Sequence, residues 1–103
     1  MSTNLTEQEF SKHVSSEFQT TLGEHEVNLT LAEVKAYMPQ ENEEAGMERF
    51  SVLFTGPPEL MLPQQTYRMR HEQMQEFEIF LTPISSDGKS LRYEAVFNYY
   101  KSE

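Results

Sequence analysis

Leu91, Tyr93, Ala95, Phe97 and Tyr99 alternate without a break with Arg92, Glu94, Val96, Asn98 and Tyr100, ten residues in all. A period of two held this long is the signature of a β-strand with one buried face. Three of the five residues on the apolar face are aromatic, so this strand is expected to be central to a sheet or to close a barrel. The same period recurs upstream. Phe18, Thr20 and Leu22 share a face, Gly23-Glu24 interrupts, and Val27, Leu29 and Leu31 then alternate with Glu26, Asn28 and Thr30. That reads as a hairpin, with a bulge expected near Ala32-Glu33, where the phase slips before Val34, Ala36 and Met38.

Phe50, Val52 and Phe54 resume the alternation, and Gly56-Pro57-Pro58 stops it. Leu60-Met61-Leu62-Pro63 is a short apolar link. Tyr67, Met69 and His71 alternate with Thr66, Arg68 and Arg70. Phe77, Ile79 and Leu81 alternate with Glu78, Phe80 and Thr82, and Pro83 is expected to end that strand because it has no amide hydrogen for a ladder. Asp87-Gly88 is a hairpin-turn dipeptide. One helix precedes the strands. Thr6 and Glu9 fit a capping box, Leu5 and Phe10 fit a hydrophobic staple, and a helix over about 7–14 puts Phe10 and Val14 on one face. Residues 39–48 carry four Glu, one Pro and one Gly, and read as a solvated acidic loop.

The pattern predicts an all-β protein of six or seven strands between about residues 16 and 100, with one short N-terminal helix as a lid. A compact antiparallel barrel leads, because closure removes exposed edges; a two-sheet sandwich is the alternative. At 103 residues the chain fits one domain with a modest core.

Seventeen acidic against eight basic side chains give a net charge of −9. Such a surface repels phosphate backbones and anionic lipid, so direct nucleic-acid or membrane binding is not expected. The absence of cysteine excludes disulfides, thiolate metal sites and a thiol nucleophile. Apolar runs of about three residues are too short to span a membrane, and Met1-Ser2-Thr3-Asn4 does not open a signal peptide, so a cytoplasmic location is expected.

His71 lies on the apolar phase of its strand. As a catalytic base it would need a carboxylate or hydroxyl partner; the structural alternative is a strand-end histidine that hydrogen-bonds the turn after it. His13 and His25 have no ligand at metal spacing, and no metal or other cofactor is expected. Arg68 and Arg70 share the outward phase about 7 Å apart by strand geometry. They could clamp an anion, or pair across strands with Glu78 or Glu94. Tyr99 and Tyr100 are amphipathic enough for an interface, and equally suited to finishing a barrel wall. Asn4-Leu5-Thr6 and Asn28-Leu29-Thr30 match a glycosylation sequon that has no consequence outside the secretory route.

The second half of the chain resembles a known pattern. Phe50-Ser51-Val52-Leu53-Phe54-Thr55-Gly56-Pro57, Leu62-Pro63-Gln64-Gln65-Thr66-Tyr67-Arg68-Met69-Arg70-His71, Phe80-Leu81-Thr82-Pro83-Ile84 and Tyr93-Glu94-Ala95-Val96-Phe97-Asn98 fall in the order of a family of small uncharacterised bacterial domains. The first half is similar only in its helix-then-hairpin layout. Where that family has a Gly in the turn after its His, this chain has Met74-Gln75, which predicts a different turn. The resemblance brings no catalytic residues. It implies an accessory role near phage-tail collar-like proteins, with Tyr67, His71, Tyr93, Glu94 and Asn98 as a shared polar set that could fix the barrel from within.

Together these readings predict a non-catalytic protein-interaction or accessory module of a tail-like or surface assembly, with another protein as partner and homo-oligomerisation left open. Arg68, Arg70, His71, Tyr93, Glu94 and Tyr100 are the candidate binding residues. The alternative is a small acidic inhibitor that covers a basic nucleic-acid-binding protein, and a hydrolase or isomerase using His71 and Glu94 ranks last.

Overall fold

A computed structural model describes residues 5–37, 40, 44–86 and 88–100. In chain order the elements are α1 (Glu7–Ser11), β1 (Glu17–Leu22), β2 (His25–Ala36), β3 (Met47–Gly56), β4 (Gln65–His71), β5 (Gln75–Ser86) and β6 (Leu91–Tyr100). The six strands close into an antiparallel barrel in the order β1-β2-β3-β6-β5-β4. The barrel, and not the sandwich, is therefore the architecture. β6 is its longest seam, paired with β3 from Gly56↔Leu91 to Met47↔Tyr100 and with β5 through Glu94 and the residues before it. The thinnest seam is β1 with β4, where Gln19↔Arg70 is the register pair and the Thr20 hydroxyl adds a 2.9 Å bond to the Arg68 carbonyl.

The inward residues are those of the apolar phase. Phe18, Val27, Leu29, Leu31, Phe50, Val52, Phe54, Met69, Ile79, Leu81, Tyr93 and Ala95 are buried in one cluster. Their side chains fill the barrel, as expected for a small closed sheet. Each mouth is covered. Residues 57–64 cross one mouth and insert Leu62, which is fully buried. At the end of β3 a Cβ on Gly56 would come within 2.7 Å of Leu29 Cδ2, so a side chain there would collide with the core. α1 covers the other mouth. Phe10, fully buried, sits 5.6–6.4 Å from the rings of Phe18, Phe50, Phe77 and Phe97.

Four expectations need correction. The helix ends at Ser11 and not near residue 14, because the chain turns through Ser15 at a left-handed φ of 78° and leaves Val14 exposed. Only half of the capping box forms: Thr6 Oγ1 accepts the Glu9 amide at 3.0 Å, while the Glu9 carboxylate turns to Lys12 and His13, 3.5 Å from each. Pro83 does not end its strand. β5 runs on to Ser86, and the proline sits where the register with β6 shifts between Pro83 and Ser85, so the ladder never asks it for a donor. The acidic stretch is not one loop either: Glu44 and Ala45 are helical, and Met47 and Glu48 already belong to β3. Glu48 accepts the Glu7 amide at 3.1 Å and so helps seat α1. Met38, Pro39, Glu41, Asn42, Glu43, Asp87 and the first four residues lie outside the described residues. The bulge in β2 falls between Leu31 and Glu33, where the phase slip placed it.

Candidate functional site

A groove with a polar lining lies beside α1, where the barrel mouth meets the β4–β5 turn. Its volume is about 680 Å³, and Lys12, His13, Ser16, Gln19, Arg70 and His71 are among its walls. The local chain path explains the grouping. After α1 the left-handed turn at Ser15 is held by paired bonds to β2, Ser15 amide to Leu31 carbonyl and Leu31 amide to Ser16 carbonyl. A left-handed non-glycine residue costs about 1–2 kcal/mol, which these two bonds offset. The turn folds Ser16 back under α1, so its amide and its hydroxyl both donate to the His13 carbonyl, at 3.1 and 2.6 Å.

His71 ends β4 and is 9% exposed. Its Nδ1 accepts two backbone amides, Gln73 at 3.0 Å and Met74 at 3.1 Å. The strand-end reading of this histidine is what the geometry realises. Because Nδ1 is an acceptor, the ring hydrogen sits on Nε2, which donates to Ser16 Oγ at 2.9 Å. The Ser16 hydrogen is committed to the His13 carbonyl. The bonds therefore run one way, from His71 to Ser16 to the His13 carbonyl. A serine–histidine pair at this distance would suit nucleophilic chemistry only if Nε2 could take the hydroxyl proton. Here Nε2 already carries one. Protonating Nδ1 instead would set an N–H against two amide hydrogens. Burial pushes the imidazole below its usual 6.5, the neighbouring His13 pushes it the same way, and Glu72 opposes them.

The His13 ring lies 4.6 Å from that of His71, and the Phe18 ring packs against His71 at 4.2 Å. His25 is on the β1–β2 hairpin, away from both. Among the described residues no three His, Cys, Asp or Glu side chains converge to hold a metal ion. Ser16 is absent from the sequence-based candidates. It lies 55 residues from His71 in the chain, and only the β1–β4 closure brings the two together.

The other candidates scatter. Arg70 pairs with Glu26 of β2 at 3.2 Å, and Arg68 stands in register opposite Glu78; Glu94 is on a different wall, where the Tyr37 hydroxyl reaches it at 3.4 Å. So Arg68 and Arg70 are partnered differently and do not converge on one anion. The shared polar set is not one network. Tyr93 accepts the Leu62 amide at 2.9 Å and the Tyr67 hydroxyl donates to the Pro63 carbonyl, so both phenols anchor the link over one mouth. Burial and the nearby Tyr93 push the Tyr67 phenol above 10.0. His71 works at the opposite mouth, and Asn98 faces outward. Tyr99 donates to the Leu5 carbonyl and so fastens the start of α1, and burial followed by Glu48 raises its phenol above 10.0. Tyr100 is exposed.

Set beside known proteins, residues 5–97 match the family described as a domain of unknown function, DUF6916, and the chain belongs to that family. No curated protein and no solved structure matches it. No helix among the described residues is long and apolar enough to cross a membrane.

Proposed function

We propose that this protein is a non-catalytic interaction module that acts as an accessory part of a phage-tail-like or surface assembly, through a protein partner and in the cytoplasm. The observation that carries the reading is the outer wall of β5 and β6. Phe80, Ile84, Val96 and Tyr100 are 50%, 47%, 64% and 73% exposed there, on two neighbouring strands. None of them belongs to the core cluster or packs against it, so among the described residues their exposure has no packing rationale. The tail-like setting rests on the sequence resemblance alone. Catalysis at His71 has no place in this reading, since both ring nitrogens are engaged as described.

The test is co-purification from the native cell with wild type and with a Val96→Ser/Tyr100→Ser double variant of unchanged melting temperature. A partner held by wild type and lost by the variant supports the module. Retention of the same partner by both overturns this surface as its seat. The net charge of −9 favours one second reading, an acidic inhibitor of a basic nucleic-acid-binding protein. Its mark is a basic partner whose affinity falls steeply with salt and is indifferent to Val96 and Tyr100.

A further inference from the structure

The barrel mouth that α1 covers is held in part by the hydrogen bonds of one imidazole. We infer that His71 and His13 form an acid-sensitive latch, which seats α1 and the β4–β5 turn at neutral pH and loosens both on mild acidification. The inference goes beyond the proposed binding role and does not depend on it.

The latch follows from what a second proton on His71 would meet. Nδ1 accepts the amides of both Gln73 and Met74 in the turn, and Met74 is itself 2% exposed. A proton there replaces two attractive contacts with two opposed N–H groups, so the turn must move or the ring must swing out. The ring also packs against Phe18 at 4.2 Å and His13 at 4.6 Å, and neither neighbour offers a counter-charge. The surrounding charges do not rescue it. From α1, Glu9 is 3.5 Å from His13 Nε2 and Lys12 is 3.5 Å from Glu9, so that carboxylate is shared between other cations. From β4, Arg70 adds like charge and is paired with Glu26. Glu17 of β1 lines the same groove, and Glu72 in the turn is the carboxylate whose field favours the charged ring. Protonated His13 has Glu9 as counter-ion, and it then faces a second cation across 4.6 Å.

What would be released is specific. His13 follows α1 directly, and Ser16 ties the His13 carbonyl to His71. Loosening this knot frees the C-terminal side of a helix only five residues long, which cannot persist unless docked. Phe10 would then leave its ring of Phe18, Phe50, Phe77 and Phe97, uncovering an apolar mouth only when the pH drops.

Hydrogen exchange at about pH 7.5 and about pH 5, which bracket the ordinary histidine range, tests the latch after correction for intrinsic rates. The expected result is a fall of about tenfold or more in protection for amides of α1 and of residues 73–76, with β3 and β6 amides unchanged. In His71→Asn the side-chain oxygen can still accept a turn amide and cannot be protonated, so the fall should vanish. In His13→Gln, which leaves every His71 bond in place, the fall should shrink. Protection in wild type that changes less than about twofold overturns the latch, as does a full fall that persists in His13→Gln. Should His71→Asn not fold, the imidazole ¹⁵N shifts of wild-type His71 decide: an Nε2-protonated ring that titrates together with the loss of α1 protection is required, and one that titrates without it refutes the idea.

Discussion

The Tyr93 hydroxyl accepts the backbone amide of Leu62 at 2.9 Å, across 31 residues of sequence and inside the barrel. Among the described residues it is the partner of that buried amide, and it fixes where the link from β3 to β4 crosses the mouth. Tyr93→Phe keeps the ring and removes only the acceptor. The buried amide is then left unsatisfied, and the loss should be about 1–3 kcal/mol by urea denaturation. A loss under about 0.5 kcal/mol would mean that the crossing link is held by Leu62 burial and Tyr67 alone.

How much of this was legible in advance follows from what each feature depends on. The strands announce themselves because a half-buried sheet enforces a period of two, and the alternation from Leu91 to Tyr99 maps onto β6 residue by residue. The β2 bulge shows as a slipped phase for the same reason. The end of α1 does not show, because the left-handed turn at Ser15 is made without a glycine and is stabilised by Leu31, sixteen positions on. Pro83 misleads because the rule against proline in a ladder has an exception at register shifts, and a shift is a tertiary event. At the candidate site, the turn bonds of His71 are local and could be read from its strand-end position. Its bond to Ser16 requires barrel closure and leaves no trace in either segment.

The depressed His71 pKa has a consequence for global stability, and its sign is fixed. The unfolded imidazole binds a proton near 6.5, while the folded one resists it because of burial and then His13. The contribution of His71 is therefore fully present above about pH 6.5 and is lost as the pH falls from there through the lowered folded value. One proton limits the slope to about 1.4 kcal/mol per pH unit. The difference in unfolding free energy between wild type and His71→Asn, followed by urea titrations from about pH 8 to about pH 5, isolates this from the carboxylates. A difference that stays flat over that range would show that the folded ring titrates normally.

Gln75 opens β5 at a left-handed φ of 63°, the one residue of the β4–β5 turn with that backbone and the neighbourhood where the resembled family has glycine. The turn at Met74-Gln75 is thus made with a glycine-like conformation in a residue that dislikes it. Holding a side chain there costs about 1–2 kcal/mol, and glycine would return about 0.5–1 kcal/mol of that through unfolded-state entropy. Gln75→Gly should be neutral or stabilising, by up to about 1 kcal/mol, in thermal or urea unfolding. A clear destabilisation would assign the exposed Gln75 side chain a contact of its own.

Phe10 and Phe97 share a ring contact at 5.6 Å and differ in how far each is enclosed. Phe10 is fully buried among four aromatic rings, whereas Phe97 is half-buried and stacked on Phe50 at 4.8 Å with an interplanar angle of 13°. Phe10→Ala removes the whole filling of one mouth, and a cost of about 3–5 kcal/mol is expected. Phe97→Ala keeps the neighbouring rings in place and leaves a site open to solvent, so its cost should be clearly smaller, near 2 kcal/mol by the value of about 1.5–3 kcal/mol for a fully enclosed apolar side chain. Tyr100→Ala, on the exposed phase of the same strand, should stay within about 0.5 kcal/mol. The order Phe10, Phe97, Tyr100 is the informative outcome. α1 is too short to hold its shape undocked, so if it could leave the mouth while the barrel stayed folded, the Phe10 loss would be capped at the docking free energy of a five-residue helix. A Phe10→Ala loss no larger than that of Phe97→Ala, with tryptic cleavage at Lys12 appearing well below the melting temperature, would show that cap in operation. Losses in the expected order, with one transition for all probes, would make α1 an integral wall of the core.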